Sequence, residues 1–193
     1  MANRTFLLLL AASLSLAGCG RQGEGDQGEP QAEVPAKGAD RSQAGKPIPD
    51  TELRNADDEA ATLQEASGQP LLVNLWATWC APCVKELPTL DALSRRPGAP
   101  RVVAVSQDMG PRTSVEAFLD KAGVKDLERW HDPKMSLSGA LNAQVLPTTI
   151  LYDSNGREVW RFIGDLDWTS AQAAKLLAEA PAAAGPGRAA GRR

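Results

Sequence analysis

The sequence has little of what several functional classes require. It holds one histidine and three cysteines, so there is no Cys/His cluster for a structural zinc site. No apolar run reaches the length of a membrane-spanning helix. Basic residues number 21 against 24 acidic ones, for a net charge of −3, and they do not cluster outside the last few positions. A nucleic-acid binder normally shows a basic face, so that class is not expected. Aromatic residues make up only 5% of the chain, and no internal repeat is visible. What remains is a compositionally ordinary stretch from 46 to 180, about 135 of the 193 residues. That is enough for one domain with a core and too little for two.

The two ends differ from this middle. Arg4 followed by the apolar stretch Phe6 to Leu16 reads as a signal peptide over residues 1–18. It ends Leu16-Ala17-Gly18-Cys19, which resembles a bacterial lipobox and makes Cys19 the expected lipidation site. The alternative is a plain signal peptide with a chance cysteine. Gly20 follows, so the aspartate that retains sorted lipoproteins at the inner membrane is absent. Residues 19–45 are rich in Gly, Gln, Glu and Ala and read as a flexible tether. The Ala/Gly/Pro-rich residues 181–193 read as a disordered tail. The chain is thus expected to be exported, facing the periplasm or the cell surface, and held to a membrane by its lipid.

Within the middle, Leu71-Leu72-Val73-Asn74-Leu75-Trp76 and Arg101 to Ser106 have the apolar character of buried strands. Between them a helical pattern from about Cys80 to Arg96 places Val84, Leu87, Leu90 and Leu93 on one stripe. Strand, helix, strand implies a right-handed parallel unit. Thr113-Ser114-Val115-Glu116 resembles a capping box for a second helix that stops at Gly123, and 136–142 suggests a short third one. Thr148 to Asp153 and Glu158 to Ile163 flank Ser154-Asn155-Gly156, a hairpin signal. A last helix is expected over 169–180, with Leu176 and Leu177 inward. Upstream, Thr51-Glu52-Leu53 and Ala60-Ala61-Thr62 predict a small additional hairpin. The order gives an α/β domain with a mixed sheet flanked by helices.

The chemistry lies in Cys80-Ala81-Pro82-Cys83. Two cysteines separated by two residues, after a buried strand and opening a helix, form a redox motif. Unpaired N–H groups and the helix dipole at this position favour a thiolate. Cys80 is expected to be the exposed nucleophile. Cys83, one turn in, would be the buried thiol that resolves the mixed disulfide. Pro82 suits a first helical turn. A static structural disulfide and a two-cysteine Cu(I) site are the competing readings. His131, the one histidine, is expected to be a surface or strand-end residue rather than a copper ligand.

The segment Trp76-Ala77-Thr78-Trp79-Cys80-Ala81-Pro82-Cys83-Val84-Lys85-Glu86-Leu87-Pro88 resembles the active-site segment of thioredoxin-like proteins, and is most similar to the TlpA/ResA-type disulfide reductases. Val145-Leu146-Pro147-Thr148-Thr149 matches the loop whose proline is cis in that fold, and Gly164 matches the glycine after its hairpin. The resemblance implies a thioredoxin-like fold and a set of roles. Pro147 would lie beside the dithiol, with Val145 or Leu146 free to pair with a substrate strand. The alternative is an ordinary trans turn proline. Trp79 would form an apolar lip. Pro88 would kink the first helix, or simply end it. Asn74 occupies the place of thioredoxin's buried aspartate, and an amide cannot relay a proton. Glu86 would manage the proton of Cys83; the plainer alternative is a solvated glutamate beside Lys85.

These expectations converge on an extracytoplasmic reductase acting on disulfide-bearing partner proteins, with cytochrome c or copper-site maturation as the implied setting. Electrons would come from a membrane thiol donor, and no bound cofactor or metal is needed. An oxidase or isomerase using the same site, or a Cu(I) metallochaperone, are the alternatives.

Overall fold

The computed structural model describes residues 36–180. The expected signal segment, the Cys19 lipidation site, the first part of the tether and the tail lie outside the described residues.

The strands are β1 (Gly38–Asp40), β2 (Leu53–Arg54), β3 (Ala60–Ala61), β4 (Leu71–Trp76), β5 (Arg101–Ser106), β6 (Glu128–His131), β7 (Thr148–Tyr152) and β8 (Glu158–Ile163). The helices are α1 (Ala81–Ser94), α2 (Arg112–Lys121), α3 (Ser136–Leu141) and α4 (Ala171–Leu177), with one 3-10 turn at Leu63–Ala66. The strands form one sheet in the order β1-β8-β7-β4-β5-β6-β2-β3. β4, β5 and β6 are parallel, and the remaining pairs are antiparallel. This is the expected mixed sheet in a thioredoxin-like α/β fold.

β4 is buried along its whole length, because both sheet faces are covered. Its residues alternate between the two cores. Leu72 and Trp76 join Leu87, Leu90 and Leu93 of α1, Val115 and Leu119 of α2, and Ala173 and Leu176 of α4. Leu71, Val73 and Leu75 face the other way, against the 3-10 turn and Leu137 and Leu141 of α3. Burying each such leucine contributes about 1.5–3 kcal/mol. α1 runs through Pro88 without ending there.

Two expectations need correction. The ordered chain starts before residue 46: β1 pairs with β8 from Gly38↔Ile163 to Asp40↔Arg161, so backbone pairing holds a stretch of weak composition that read as tether. α2 has no capping box. Its N-cap is Pro111, Thr113 lies inside the helix, and Glu116 pairs instead with Arg112 and Arg129. The hairpin forms as expected, β7 pairing with β8 around Ser154-Asn155-Gly156. Asp153 Oδ1 accepts from the N–H groups of Asn155 and Arg157, and only Gly156 takes a positive φ, of 69°. The additional hairpin is present as β2–β3, and it joins the sheet through Arg54↔His131 on β6. Arg112 fastens its turn by donating to the carbonyls of Asn55 and Ala56.

Candidate active site

The parallel register Trp76↔Ser106↔His131 brings the carboxyl ends of β4, β5 and β6 to one edge of the sheet. β7 is antiparallel to β4 and starts at this edge, with Thr148 opposite Leu75. The residues singled out from sequence therefore meet here by topology, as open α/β sheets place their sites.

Cys80 is the N-cap of α1 and Cys83 lies in its first turn. They form a disulfide with a Cα–Cα separation of 5.2 Å. The backbone N–H of Cys83 donates to Cys80 Sγ at 3.3 Å, so the sulfur stands where a helix offers an unpaired donor. A thiolate at Cys80 would take up that donor and the positive end of the helix dipole. The expected exposure of Cys80 is corrected: it is 6% exposed and Cys83 is fully buried. Both pack in one cluster with Trp76 and Ala77, and Cys80 is the more exposed residue of the two by a small margin. Trp79, by contrast, is 66% exposed.

The loop leading to Cys80 is tied down from β5. Asp108 accepts the Thr78 N–H at 3.0 Å and the Thr78 hydroxyl at 2.6 Å, while its second neighbour Ser106 donates at 2.6 Å. The carbonyl of Asp108 in turn accepts from Nε2 of His131 at 2.8 Å. His131 ends β6 as expected of a strand-end residue, but it is buried rather than on the surface, and this bond occupies its Nε2. Among the described residues, no group of three or more His, Cys, Asp and Glu side chains is placed to hold a metal ion.

Glu86 faces inward, one turn after Cys83, and is 2% exposed. It does not partner Lys85, whose ammonium reaches toward Asp165. Its Oε1 accepts from the Asn74 amide at 2.7 Å. Its Oε2 accepts from the Leu166 N–H and the Trp168 indole N–H, each at 3.1 Å. Burial raises its pKa from 4.5 to about 7, against the lowering effect of those three donors. A buried carboxyl with its pKa near neutrality can hold or release a proton under working conditions. Asn74, read as the loss of a relay, is here the partner of the carboxylate that can perform one. Its second amide proton goes to Thr149 Oγ1 at 2.9 Å.

The Leu146–Pro147 bond is cis. The Pro147 carbonyl accepts from the Gly164 N–H at 2.9 Å, and Thr148 Oγ1 donates to the Val145 carbonyl at 2.7 Å. A Cβ on Gly164, whose φ is 92°, would stand 2.9 Å from Lys37. Among the described residues the Leu146 backbone has no backbone partner, and Val145 and Leu146 are half-buried.

Sequence reasoning did not single out Thr78, Asp108, Thr149 or Trp168 for the site. The available signal was the rule that a polar residue inside an apolar strand, such as Asn74, must find partners.

The chain is 32% identical over 117 residues to "Thioredoxin-like protein YneN" of Bacillus subtilis (strain 168), covering 59% of this chain and 68% of that protein. It is 27% identical over 127 residues to "Thiol-disulfide oxidoreductase ResA" of Bacillus thuringiensis (strain Al Hakam), covering 65% and 73%. The crystal structure of the exposed lipoprotein thioredoxin Etrx1 of Streptococcus pneumoniae strain TIGR4 superposes with a TM-score of 0.58 at 22% identity, covering 68% of this chain and 99% of that one. A family model described as Redoxin matches residues 43–177. Since that match takes in every strand from β2 to β8 and all four helices, the chain belongs to the Redoxin family.

Proposed function

We propose that this protein is an extracytoplasmic thiol:disulfide oxidoreductase that reduces disulfides in partner proteins. The observation that carries the reading is the Cys80–Cys83 disulfide at the start of α1, with Cys80 Sγ accepting the Cys83 N–H. In the reduced protein the Cys80 thiolate attacks one sulfur of the partner's disulfide. A mixed disulfide forms and the partner's other sulfur leaves as a thiolate. Cys83 gives up its proton and attacks Cys80 Sγ, the partner's second thiolate leaves, and the protein disulfide is restored. Two electrons pass to the partner. Glu86 accepts the Cys83 proton, which its raised pKa suits it to do. The partner's chain lies beside Pro147 and pairs with the unpartnered Leu146 backbone, and Trp79 shields the attacked bond.

The reading extends to the cell. Cys19 carries the lipid that anchors the protein at the periplasmic or outer surface, a membrane thiol donor re-reduces the dithiol, and the partners belong to cytochrome c or copper-site maturation. The lipobox-like Leu16-Ala17-Gly18-Cys19 supports the anchor, and the resemblance to the TlpA/ResA group supports the partners.

The test has two arms. A Cys83→Ser variant should accumulate partner proteins on Cys80 as mixed disulfides that release on reduction. No such adducts in cells would contradict protein substrates. Equilibration with glutathione should give a potential closer to about −270 mV than to about −120 mV. A value at the oxidising end would make the protein an oxidase with the same site.

A further inference from the structure

Three consecutive residues after β8 reach two separate parts of the candidate site. The Gly164 N–H donates to the Pro147 carbonyl at 2.9 Å and holds the cis-proline loop. The Leu166 N–H donates to Glu86 Oε2 at 3.1 Å and holds the buried carboxyl. Asp165 lies between them, and its carboxylate meets two lysines. Lys37 Nζ donates to Oδ1 at 2.5 Å, and Lys85 Nζ stands 3.8 Å from Oδ2.

Lys37 comes from a distant part of the chain, 128 residues before Asp165, and immediately precedes β1. Register brings it here. Gly38 pairs with Ile163 and Ile163 pairs with Thr148, so β1 begins at the sheet edge that carries the dithiol. The lysine stem lies along Gly164: a Cβ there would stand 2.9, 3.1 and 3.2 Å from Lys37 Cγ, Cδ and Cε. One side chain thus covers Gly164 with its methylenes and caps Asp165 with its ammonium. A second ion pair fastens the same N-terminal segment elsewhere, where Arg41 Nε and Nη2 donate to the Glu179 carboxylate after α4. Beyond burial, the charge that raises the Glu86 pKa is that of Asp165. The other groups packed on Glu86 are neutral: the Asn74 amide, the Leu166 N–H and the Trp168 indole.

We propose that Lys37 is a positioning residue for disulfide exchange: by capping Asp165 it holds the segment from Gly164 to Leu166 against Pro147 and Glu86, and it offsets the Asp165 charge beside the Glu86 carboxyl. The edge strand β1 is thereby part of the support of the site. Removing the ammonium has two effects with one direction. Asp165 becomes an uncompensated like charge beside Glu86, and the Leu166 donor is less firmly placed; both disfavour the ionised carboxyl. Lys85 and the water around the exposed Lys37 keep the effect modest. The use of Glu86 as proton carrier comes from the oxidoreductase reading, on which this inference rests.

The test uses the full chain with its disulfide intact. Protonated Glu86 is followed by infrared spectroscopy, as the carboxyl band that Glu86→Gln removes. Lys37→Met keeps a stem over Gly164 without the charge and should move the titration midpoint up by about half a pH unit. Lys37→Arg should keep the native midpoint. Arg41→Met loosens the same segment without touching Asp165 and should also leave it in place. An unchanged midpoint in Lys37→Met, or an equal shift in Arg41→Met, would overturn the inference and leave the oxidoreductase reading standing. Reduction of a disulfide peptide by the reduced proteins is measured alongside. Lys37→Met should slow it about twofold at pH 7, since fewer Glu86 side chains are ionised to accept the Cys83 proton. A native protein that reduces no disulfide would overturn the oxidoreductase reading whatever the titration shows.

Discussion

α1 buries two carboxylates, Glu86 and Asp91, and treats them in opposite ways. Oδ1 of Asp91 accepts the N–H groups of Lys125, Asp126 and Leu127 at 2.8–3.0 Å, while Oδ2 pairs with Arg95 at 2.5 Å. Burial pushes its pKa up, but these hydrogen bonds outweigh burial and hold it below the ordinary value. Asp91 stays charged and acts as a staple between α1 and the segment that leads into β6. Glu86 receives one backbone N–H, one amide and one indole, and no cation. Burial wins there, and the pKa rises to about 7. Two acids on one helix thus differ through their burial and their partners: one stays charged as a structural clamp, and the other is poised to titrate near neutrality.

The larger effect is expected at Asp91. Asp91→Ala leaves three backbone donors without their acceptor and should destabilise the protein by about 4 kcal/mol in denaturant unfolding. The pH dependence of disulfide exchange should stay in place, and a shift in it would mean that the clamp and the proton carrier are not separate.

Glu86→Gln comes next. In the oxidised protein the burial penalty of Glu86 is absent below about pH 4.5, where the carboxyl is protonated in both the folded and the unfolded chain. As pH rises the unfolded chain ionises first, so the folded state loses stability until about pH 7, by about 3 kcal/mol in total. Glutamine removes this dependence. The stability of the variant relative to the native protein should therefore rise between pH 4 and pH 8 by about 3 kcal/mol. A constant difference would show that Glu86 does not titrate near neutrality. The same variant should slow disulfide exchange near neutral pH by about 100-fold.

Arg95→Ala should have the smallest effect. The arginine is half exposed, and the three backbone donors hold Asp91 without it. A loss far smaller than that of Asp91→Ala is expected, because water screens an exposed ion pair, and a loss as large as that of Asp91→Ala would assign the clamp to the ion pair.

The contrast also marks what the sequence made legible. β4, β5, the two strands of the hairpin and the amphipathic stripe of α1 were visible because local apolar pattern determines them. The dithiol was visible because its chemistry depends on residues four positions apart at most. β1 and β6 were not. Gly38-Ala39-Asp40 and Glu128-Arg129-Trp130-His131 carry no apolar alternation and become strands by pairing with β8 and β5. The Asp91 clamp spans separations of 34 to 36 residues and leaves no local trace. Glu86 was singled out through its resemblance to a family. The partners that set its pKa include Leu166 and Trp168, 80 and 82 residues away, which only the fold brings near.

A helix that starts at Cys80 should make that sulfur, and not Cys83, the ionised one. The most direct measurement is the pH dependence of iodoacetamide alkylation of the reduced chain, read at each cysteine by mass spectrometry. Cys80 should be modified rapidly with a midpoint below about pH 7.5, and Cys83 only slightly. A Cys80 midpoint near about 8.5, as for an unstructured thiol, or equal modification of Cys83, would contradict it.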